Sequence, residues 1–221
     1  MKFVTFLNFG CLDICKNMIK SAENIKISRN DFIIYCLDDI SYETLKNEYN
    51  CIRYNSTVSS DYKNWSFDPN SEFRTVVKHK WKIIKEAYKE HKSLCFIDTD
   101  IVFLRDFRFL SATFDGVLCQ SDLPGSLICS GFMIFGNNKA SENLIDECAN
   151  MEEEDDQLAI NGIYHKHRDH IKLLPQNLFP NGHVYYQQNI KDADAYIVHN
   201  NFMVGIENKT QKFKDEELWF L

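Results

Sequence analysis

Two aspartates one residue apart, Asp98 and Asp100, leave an apolar run at residues 94–97 and lead into another at 101–103. Ionised carboxylates in such surroundings need a cation, hydrogen-bond donors or a metal, because an isolated buried charge is too costly to keep. A hard divalent ion held by carboxylates together with substrate phosphates is a recurrent solution, so Mn²⁺ or Mg²⁺ is the expected cofactor. The plain alternative is a pair of aspartates capping a turn at a strand end. His199 follows a second apolar run, 195–198, and is the candidate third ligand; Asn200, Asn201, Gly205 and Lys209 come close behind it. Gly205 permits close backbone approach, and Lys209 supplies a point charge suited to phosphate.

A lysine supplies the next clue. At about 100° per residue, Phe73, Val76, Val77, Trp81, Ile84, Ala87 and Tyr88 form one helical stripe, and Lys80 falls within about 30° of its centre. A lysine so placed either snorkels outward or aims at an anionic ligand in a cleft. Arg74, at the edge of the stripe, is positioned to join it, whereas Lys78 and Lys85 fall on the polar side and are expected to be solvated. Asp155, Asp156 and Gln157 open another periodic segment. Acidic residues suit a helix N-terminus for dipole reasons alone, which leaves Gln157 without that explanation. His165, His167 and His170 lack metal-ligand spacing and are expected at the surface.

These residues must be held by a fold. The chain has 221 residues, 44% hydrophobic and 14% aromatic, with 8 Gly and 4 Pro, which suits one domain and excludes collagen-like and low-complexity readings. Strand-like runs at 3–7, 32–37 and 51–54 alternate with helical spacing at 12–25 and 42–49, a βαβαβ order that favours a doubly wound α/β sheet. After a polar stretch, 55–70, a long helix is expected from 71 or 72 to 90, then a strand at 94–97. Further strands are expected at 117–119, 132–135, 171–174, 184–186 and 196–198, helices at 140–151 and 155–164, a turn at Asn181-Gly182, and a polar tail. In such sheets ligands bind beyond the carboxyl ends of the strands, which directs attention to Asn8, Asp38, Asp98, Asp100 and His199. The net charge of −7 disfavours nucleic acid. Eight scattered cysteines read as reduced thiols, no segment reads as a signal peptide or membrane span, and a soluble, cytoplasmic chain is expected.

Taken together, the residues resemble the nucleotide-diphospho-sugar transferase family, which includes plant xylosyltransferase-like enzymes and has the glycosyltransferase-A fold. The resemblance is carried by Asn8, Asp38, Glu72-Phe73-Arg74 with Lys80, Phe96 to Asp100, Ser130-Gly131-Phe132, Asp156-Gln157, Phe179 to Gly182, and His199 with Asn201, Gly205 and Lys209. It implies a single domain over 1–221 with a mixed central sheet. A nucleotide-binding half, 1–100, would end in the Asp-X-Asp motif, and a donor-sugar and acceptor half, 101–221, would follow, without the anchor and stem of a Golgi-resident relative. It implies metal-dependent transfer of a sugar from a nucleotide diphosphate, expected to be a UDP-sugar, to an acceptor hydroxyl on a glycan or glycoprotein, with retention of configuration. By the resemblance, Asp98, Asp100 and His199 hold the metal. Asn8, Asp38, Arg74, Lys80, Asp98, Ser130, Gly131, Gly205 and Lys209 contact the donor, and Asp156 and Gln157 lie beside the anomeric carbon. If the reaction inverts instead, Asp156 is the candidate general base.

One departure is Cys129, where the family has Asn; a thiol is a weak hydrogen-bonding group. Two other readings compete. Haloacid-dehalogenase-like phosphatases also open with an apolar strand and Asp-X-Asp, but have Thr two residues later, where this chain has Val102. A non-catalytic sugar-nucleotide-binding protein would not need the three metal-ligating residues. Sugar nucleotidyltransferases share the fold class, but the Gly-rich loop expected after their first strand is missing.

Overall fold

The structure, a computed structural model, describes residues 1–58, 72–123, 127–151, 155–187 and 194–221. Strands β1 (Lys2–Leu7), β2 (Phe32–Cys36) and β4 (Leu94–Ile97) send alternate side chains into two separate apolar layers. Phe3, Leu7, Phe32, Ile34, Cys95 and Ile97 enter one, and Val4, Ile33, Tyr35, Leu94 and Phe96 enter the other. Covering both faces is why these strands are continuous apolar runs in the sequence rather than alternating ones. Helix α1 (Leu12–Asn24) packs on the first face through Leu12, Cys15, Met18, Ile19 and Ala22. On the second lie α4 (Lys80–His91), α5 (Lys139–Asn150) and α6 (Asp156–His167).

The seven-stranded sheet is mixed, with order β3-β2-β1-β4-β7-β6-β8, where β3 is Cys51–Arg53, β6 Val117–Leu123, β7 Leu127–Phe135 and β8 Ile171–Leu173. Strands β3, β2, β1 and β4 run parallel, and β7 runs against both β4 and β6. Chain order reverses between β1 and β4, so the carboxyl ends of these two strands border the crevice where doubly wound sheets bind ligands. Because β7 is reversed, its Ser130–Gly131 region lies at that same edge, with Gly131 O accepting from Asp98 N at 2.8 Å. A second, two-stranded sheet pairs β5 (Ile101–Phe103) with β9 (Ile197–His199).

Several elements differ from the sequence reading. The expected helix to residue 90 is two helices, α3 (Glu72–Val77) and α4, and the backbone tightens between them where His79 N bonds Val76 O. The expected strand at 184–186 is a helix, α7 (Gly182–Gln187), opened by Asn181, whose Oδ1 accepts the Val184 amide and whose carbonyl accepts the Tyr185 amide. Asn181-Gly182 therefore opens a helix and not a hairpin. The polar tail contains α8 (Ile206–Asp215), anchored by fully buried Phe213. The helix expected at 42–49 is α2 (Asp39–Leu45), started earlier by Asp38, whose side chain caps the Ser41 amide. Strands β6 and β7 extend well past 117–119 and 132–135, hidden in the sequence by buried polar residues Gln120, Ser121 and Ser130. His167 is not simply a surface residue, because its Nε2 lies 2.9 Å from Glu147; Lys85 is likewise paired, with Asp146 at 3.0 Å. Most of the polar stretch 55–70, the helix start at 71, the Phe73 side chain and residues 152–154 lie outside the described residues.

Candidate metal and donor site

Asp98 and Asp100 occupy the turn between β4 and β5, and the antiparallel β5–β9 pair sets Ile101 opposite His199. Asn200 N also donates to Asp100 O at 2.9 Å, which locks the two segments together. The ligating atoms of Asp98, Asp100 and His199 consequently all lie within 4.8 Å of one another, the one such cluster among the described residues. Asp100 Oδ2 receives Lys209 Nζ at 2.5 Å, and Oδ1 stands 3.3 Å from His199 Nε2. That nitrogen is buried and has no hydrogen-bond partner. Two carboxylates and an orphaned imidazole nitrogen fit a hard divalent cation.

The electrostatics follow from crowding. Burial alone would raise the Asp100 pKa, but Lys209 and His199 hold that carboxyl well below the usual range. Asp98 keeps 32% of its side chain exposed and is pushed upward by desolvation against the pull of Lys80. For His199, burial lowers the pKa, but Asp100 and then Cys129 carry it from an ordinary 6.5 to about 10. In the metal-free protein, folding thus favours the imidazolium. Its contribution to stability is complete below the unfolded pKa near 6.5 and is lost as pH rises through about 10. A metal on Nε2 must displace that proton, so Mn²⁺ binding at neutral pH should release about one proton. The buffer dependence of the calorimetric enthalpy measures it, and zero release would mean that His199 is already neutral.

Gly131 closes the cluster. A Cβ there would fall 2.3 Å from His199 Cε1 and 2.6 Å from Asp98 Oδ2, so the close approach of these two side chains requires a glycine. An irregularity in the sheet produces this contact. Cys119 pairs with Met133 but the next residue, Gln120, pairs with Cys129, leaving β7 residues 130–132 without partners on β6. Bulges of this kind re-aim side chains beside functional sites.

Lys80 is 3% exposed, buried as its place in the stripe predicts, and its ammonium group reaches the site. Nζ lies 3.1 Å from Asp98 Oδ1, forms an ion pair with Asp156, and stands 3.4 Å from Ser130 Oγ. Ser130 Oγ donates to Asp156 Oδ2 at 2.6 Å, and Trp81 Nε1 donates to the Asp156 carbonyl at 2.9 Å. Burial would lower the Lys80 pKa, but Asp156 and Asp98 together raise it, so the lysine stays charged. Lys80→Met should lower stability by about 3–5 kcal/mol, the usual effect of stranding a buried partner. Urea titration checks this, and a loss below about 1 kcal/mol would place Lys80 with surface ion pairs.

The remaining candidates sit around this centre. Asn8, 2% exposed, ends β1, and Asp38 spans the neighbouring turn by accepting from Phe9 N at 2.7 Å and Ser41 N at 2.8 Å. Arg74 forms an ion pair with Asp155, the N-cap of α6, which fixes Asp156 and Gln157 at the helix start. Gly205 has φ 86°, a conformation that favours glycine, and caps α8, which carries Lys209. Sequence reasoning missed Gln120 and Asp122. Asp122 accepts from Gln157 Nε2 and from Asn201 Nδ2, each at 3.1 Å, and Gln120 Oε1 lies 2.7 Å from His199 Nδ1. Gln120 directly follows the apolar run 117–119, the same signal that singled out Asp98.

Among the described residues no helix is long and apolar enough to cross a membrane, and all eight cysteines are free. The sequence profile of the nucleotide-diphospho-sugar transferase family matches residues 28–213. UDP-galactose:fucoside alpha-3-galactosyltransferase of Dictyostelium discoideum is 26% identical, aligned over 100% of this chain and 43% of its own. UDP-D-xylose:L-fucose alpha-1,3-D-xylosyltransferase 3 of Arabidopsis thaliana is 27% identical over 58% of this chain and 43% of its own. The chain therefore spans less than half the length of these curated relatives. Among solved structures, apo mouse xyloside xylosyltransferase 1 superposes with TM-score 0.57 at 11% identity, over 90% of this chain and 97% of that one. A glycosyltransferase involved in glycosylation of the major capsid of PBCV-1 gives TM-score 0.57 at 10% identity, over 98% of each chain. These structures speak for the fold, and the profile speaks for descent: the chain belongs to the nucleotide-diphospho-sugar transferase family and has the glycosyltransferase-A fold.

Proposed function

We propose that the protein transfers a sugar from a nucleoside-diphosphate donor to an acceptor hydroxyl, with a divalent cation held by Asp98, Asp100 and His199. The observation that carries this reading is the convergence of those three groups, with Lys209 on one carboxylate and Lys80 on the other, at the sheet's ligand-binding edge. A bound cation would stabilise the negative charge that develops on the departing diphosphate. Lys209 and Lys80 add positive charge at the same place. The imidazole nitrogen inclines the set toward Mn²⁺, since Mg²⁺ favours oxygen ligands and retained water.

Asn8 and Asp38 serve the nucleoside side of the cleft, with residues 1–100 contributing most of that half. Arg74, Ser130, Gly131 and Gly205 complete the donor pocket directly or by shaping it. The pairing of Asp156 with Lys80 and Ser130 supports a fixed negative charge near the anomeric carbon over a proton-accepting base, and Gln157 holds a sugar hydroxyl. Retention follows by front-side attack, consistent with the alpha linkages in the relatives' names. Those names also favour a UDP-sugar donor and a fucoside acceptor, borne on a glycan or glycoprotein, and the eight free thiols suit a cytoplasmic setting.

Thermal unfolding measured with Mn²⁺ and a panel of UDP- and GDP-sugars tests the reading. A matched donor at about 100 times its Kd should add about 2.7 kcal/mol, and only with metal present. Equal shifts from every nucleotide sugar in chelator would end the proposal.

A further inference from the structure

Gln120 takes no part in the cluster of ligating atoms, yet it is fully buried beside it. The orientation of its amide is dictated by the far side. Nε2 donates to the Phe179 carbonyl at 3.0 Å, and a carbonyl can only accept. Phe179 is itself held by the stack of its ring on Tyr196, with centroids 5.3 Å apart, and by its amide's bond to Pro175 O. Oε1 of Gln120 must then face His199, and at 2.7 Å it accepts from Nδ1–H. With Nδ1 bonded in this way, Nε2 is the nitrogen turned to Asp100 Oδ1, and it is the nitrogen that lacks a hydrogen-bond partner. A ring flipped by half a turn would present carbon to both Gln120 and the carboxylates. Cys129 Sγ also stands within reach of Nδ1, at 3.6 Å, but a thiol sulfur is a weak acceptor beside an amide oxygen at 2.7 Å. The register jump from Met133 to Cys129 sets Gln120 beside this residue pair, so the bulge that frees Gly131 also delivers Gln120.

We propose that Gln120 is the positioning residue for His199: by accepting from Nδ1–H it fixes which ring nitrogen faces Asp98 and Asp100, and thereby sets the site's affinity for a divalent cation. The inference rests on the metal reading of the site. A partner on the far nitrogen of a ligating histidine both orients the ring and strengthens the ligand, and its loss typically weakens metal binding about 10–100-fold.

Mn²⁺ binding, followed by electron paramagnetic resonance of the free ion, tests this on the wild type, Gln120→Met and Gln120→Glu. Methionine keeps the length of the side chain without a comparable acceptor, whereas glutamate keeps an acceptor for Nδ1–H and gives up only the donor to the Phe179 carbonyl. The expected result is about 10–100-fold weaker Mn²⁺ binding by Gln120→Met, and tighter binding by Gln120→Glu than by Gln120→Met. A Met variant that binds as the wild type does overturns the role of Gln120 while leaving the metal site standing; a wild type that binds no Mn²⁺ overturns both. A second measurement needs no variant. The His199 Nδ1 proton of the wild type should appear as a low-field, exchange-protected imidazole resonance in ¹H–¹⁵N spectra, with or without Mg²⁺. A rapidly exchanging Nδ1 proton overturns the proposal even if Gln120→Met does not fold.

Discussion

Asp100→Asn is expected to lower metal-dependent turnover of a nucleotide sugar by about 10³-fold, because a metal's stabilisation of transition-state charge is worth several kcal/mol and each tenfold in rate is about 1.4 kcal/mol. Asp100 is 5% exposed and meets Lys209 on one oxygen and His199 on the other, so no neighbour can take over its place. Asparagine keeps the shape but offers one neutral oxygen where the carboxylate offered two charged ones. The substitution also leaves Lys209 and His199 without their counter-ion, and some loss of stability should accompany the loss of turnover. Initial rates of donor hydrolysis, measured with Mn²⁺ and again in chelator, separate the two. The variant in Mn²⁺ should fall to the rate of the wild type in chelator. If it retains more than about a tenth of wild-type activity while folded, Asp100 is not a principal ligand.

Gly131→Ala is expected to be nearly as damaging, through geometry alone. The added methyl would overlap His199 Cε1 at 2.3 Å and Asp98 Oδ2 at 2.6 Å, and neither neighbour can simply turn away. His199 is fixed through Nδ1, and the Asp98 carboxylate is engaged by Lys80. Separating two ligands by even part of an ångström spoils a site that needs them converging, so Mn²⁺ affinity should fall by about 100-fold. Overpacking should add a stability loss of about 1–3 kcal/mol. Isothermal titration of Mn²⁺ into the folded variant reads the first effect and denaturant unfolding the second. Unchanged affinity in a folded variant would show that the cation lies elsewhere.

Much of this site was legible in the sequence for identifiable reasons. Asp98 and Asp100 stand out because charge directly after a buried apolar strand has few physical explanations. Lys80 stands out because a cation on an apolar stripe is anomalous, and that inference survives the break between α3 and α4 since the register of Trp81, Ile84, Ala87 and Tyr88 is set within α4 alone. Gln120 carries the same signal as Asp98 but follows an apolar run of only three residues, and Asp122 was lost because the polar residues 120–122 hide the continuation of β6 to Leu123. Helix α7 was misread because three apolar residues carry no period of their own, and the deciding contact is a local cap from Asn181. Helix α8 escaped notice because one fully buried residue, Phe213, is too little to create a pattern.

The sequence by itself determined that β1, β2 and β4 are buried apolar strands, that two carboxylates stand together at the Asp-X-Asp turn, and that His199 is the candidate third ligand, since each reading depends on residues near one another in the chain. Tertiary structure alone decided that His199 meets Asp100, that Lys80 spans Asp98 and Asp156, and that Gly131 leaves room for Asp98 and His199. Those contacts join segments separated by 18 to 99 residues. They depend on the reversed direction of β7, its bulge against β6, and the β5–β9 pairing. Strand direction and register are set by which surfaces can be buried together, and no local run of residues encodes that choice.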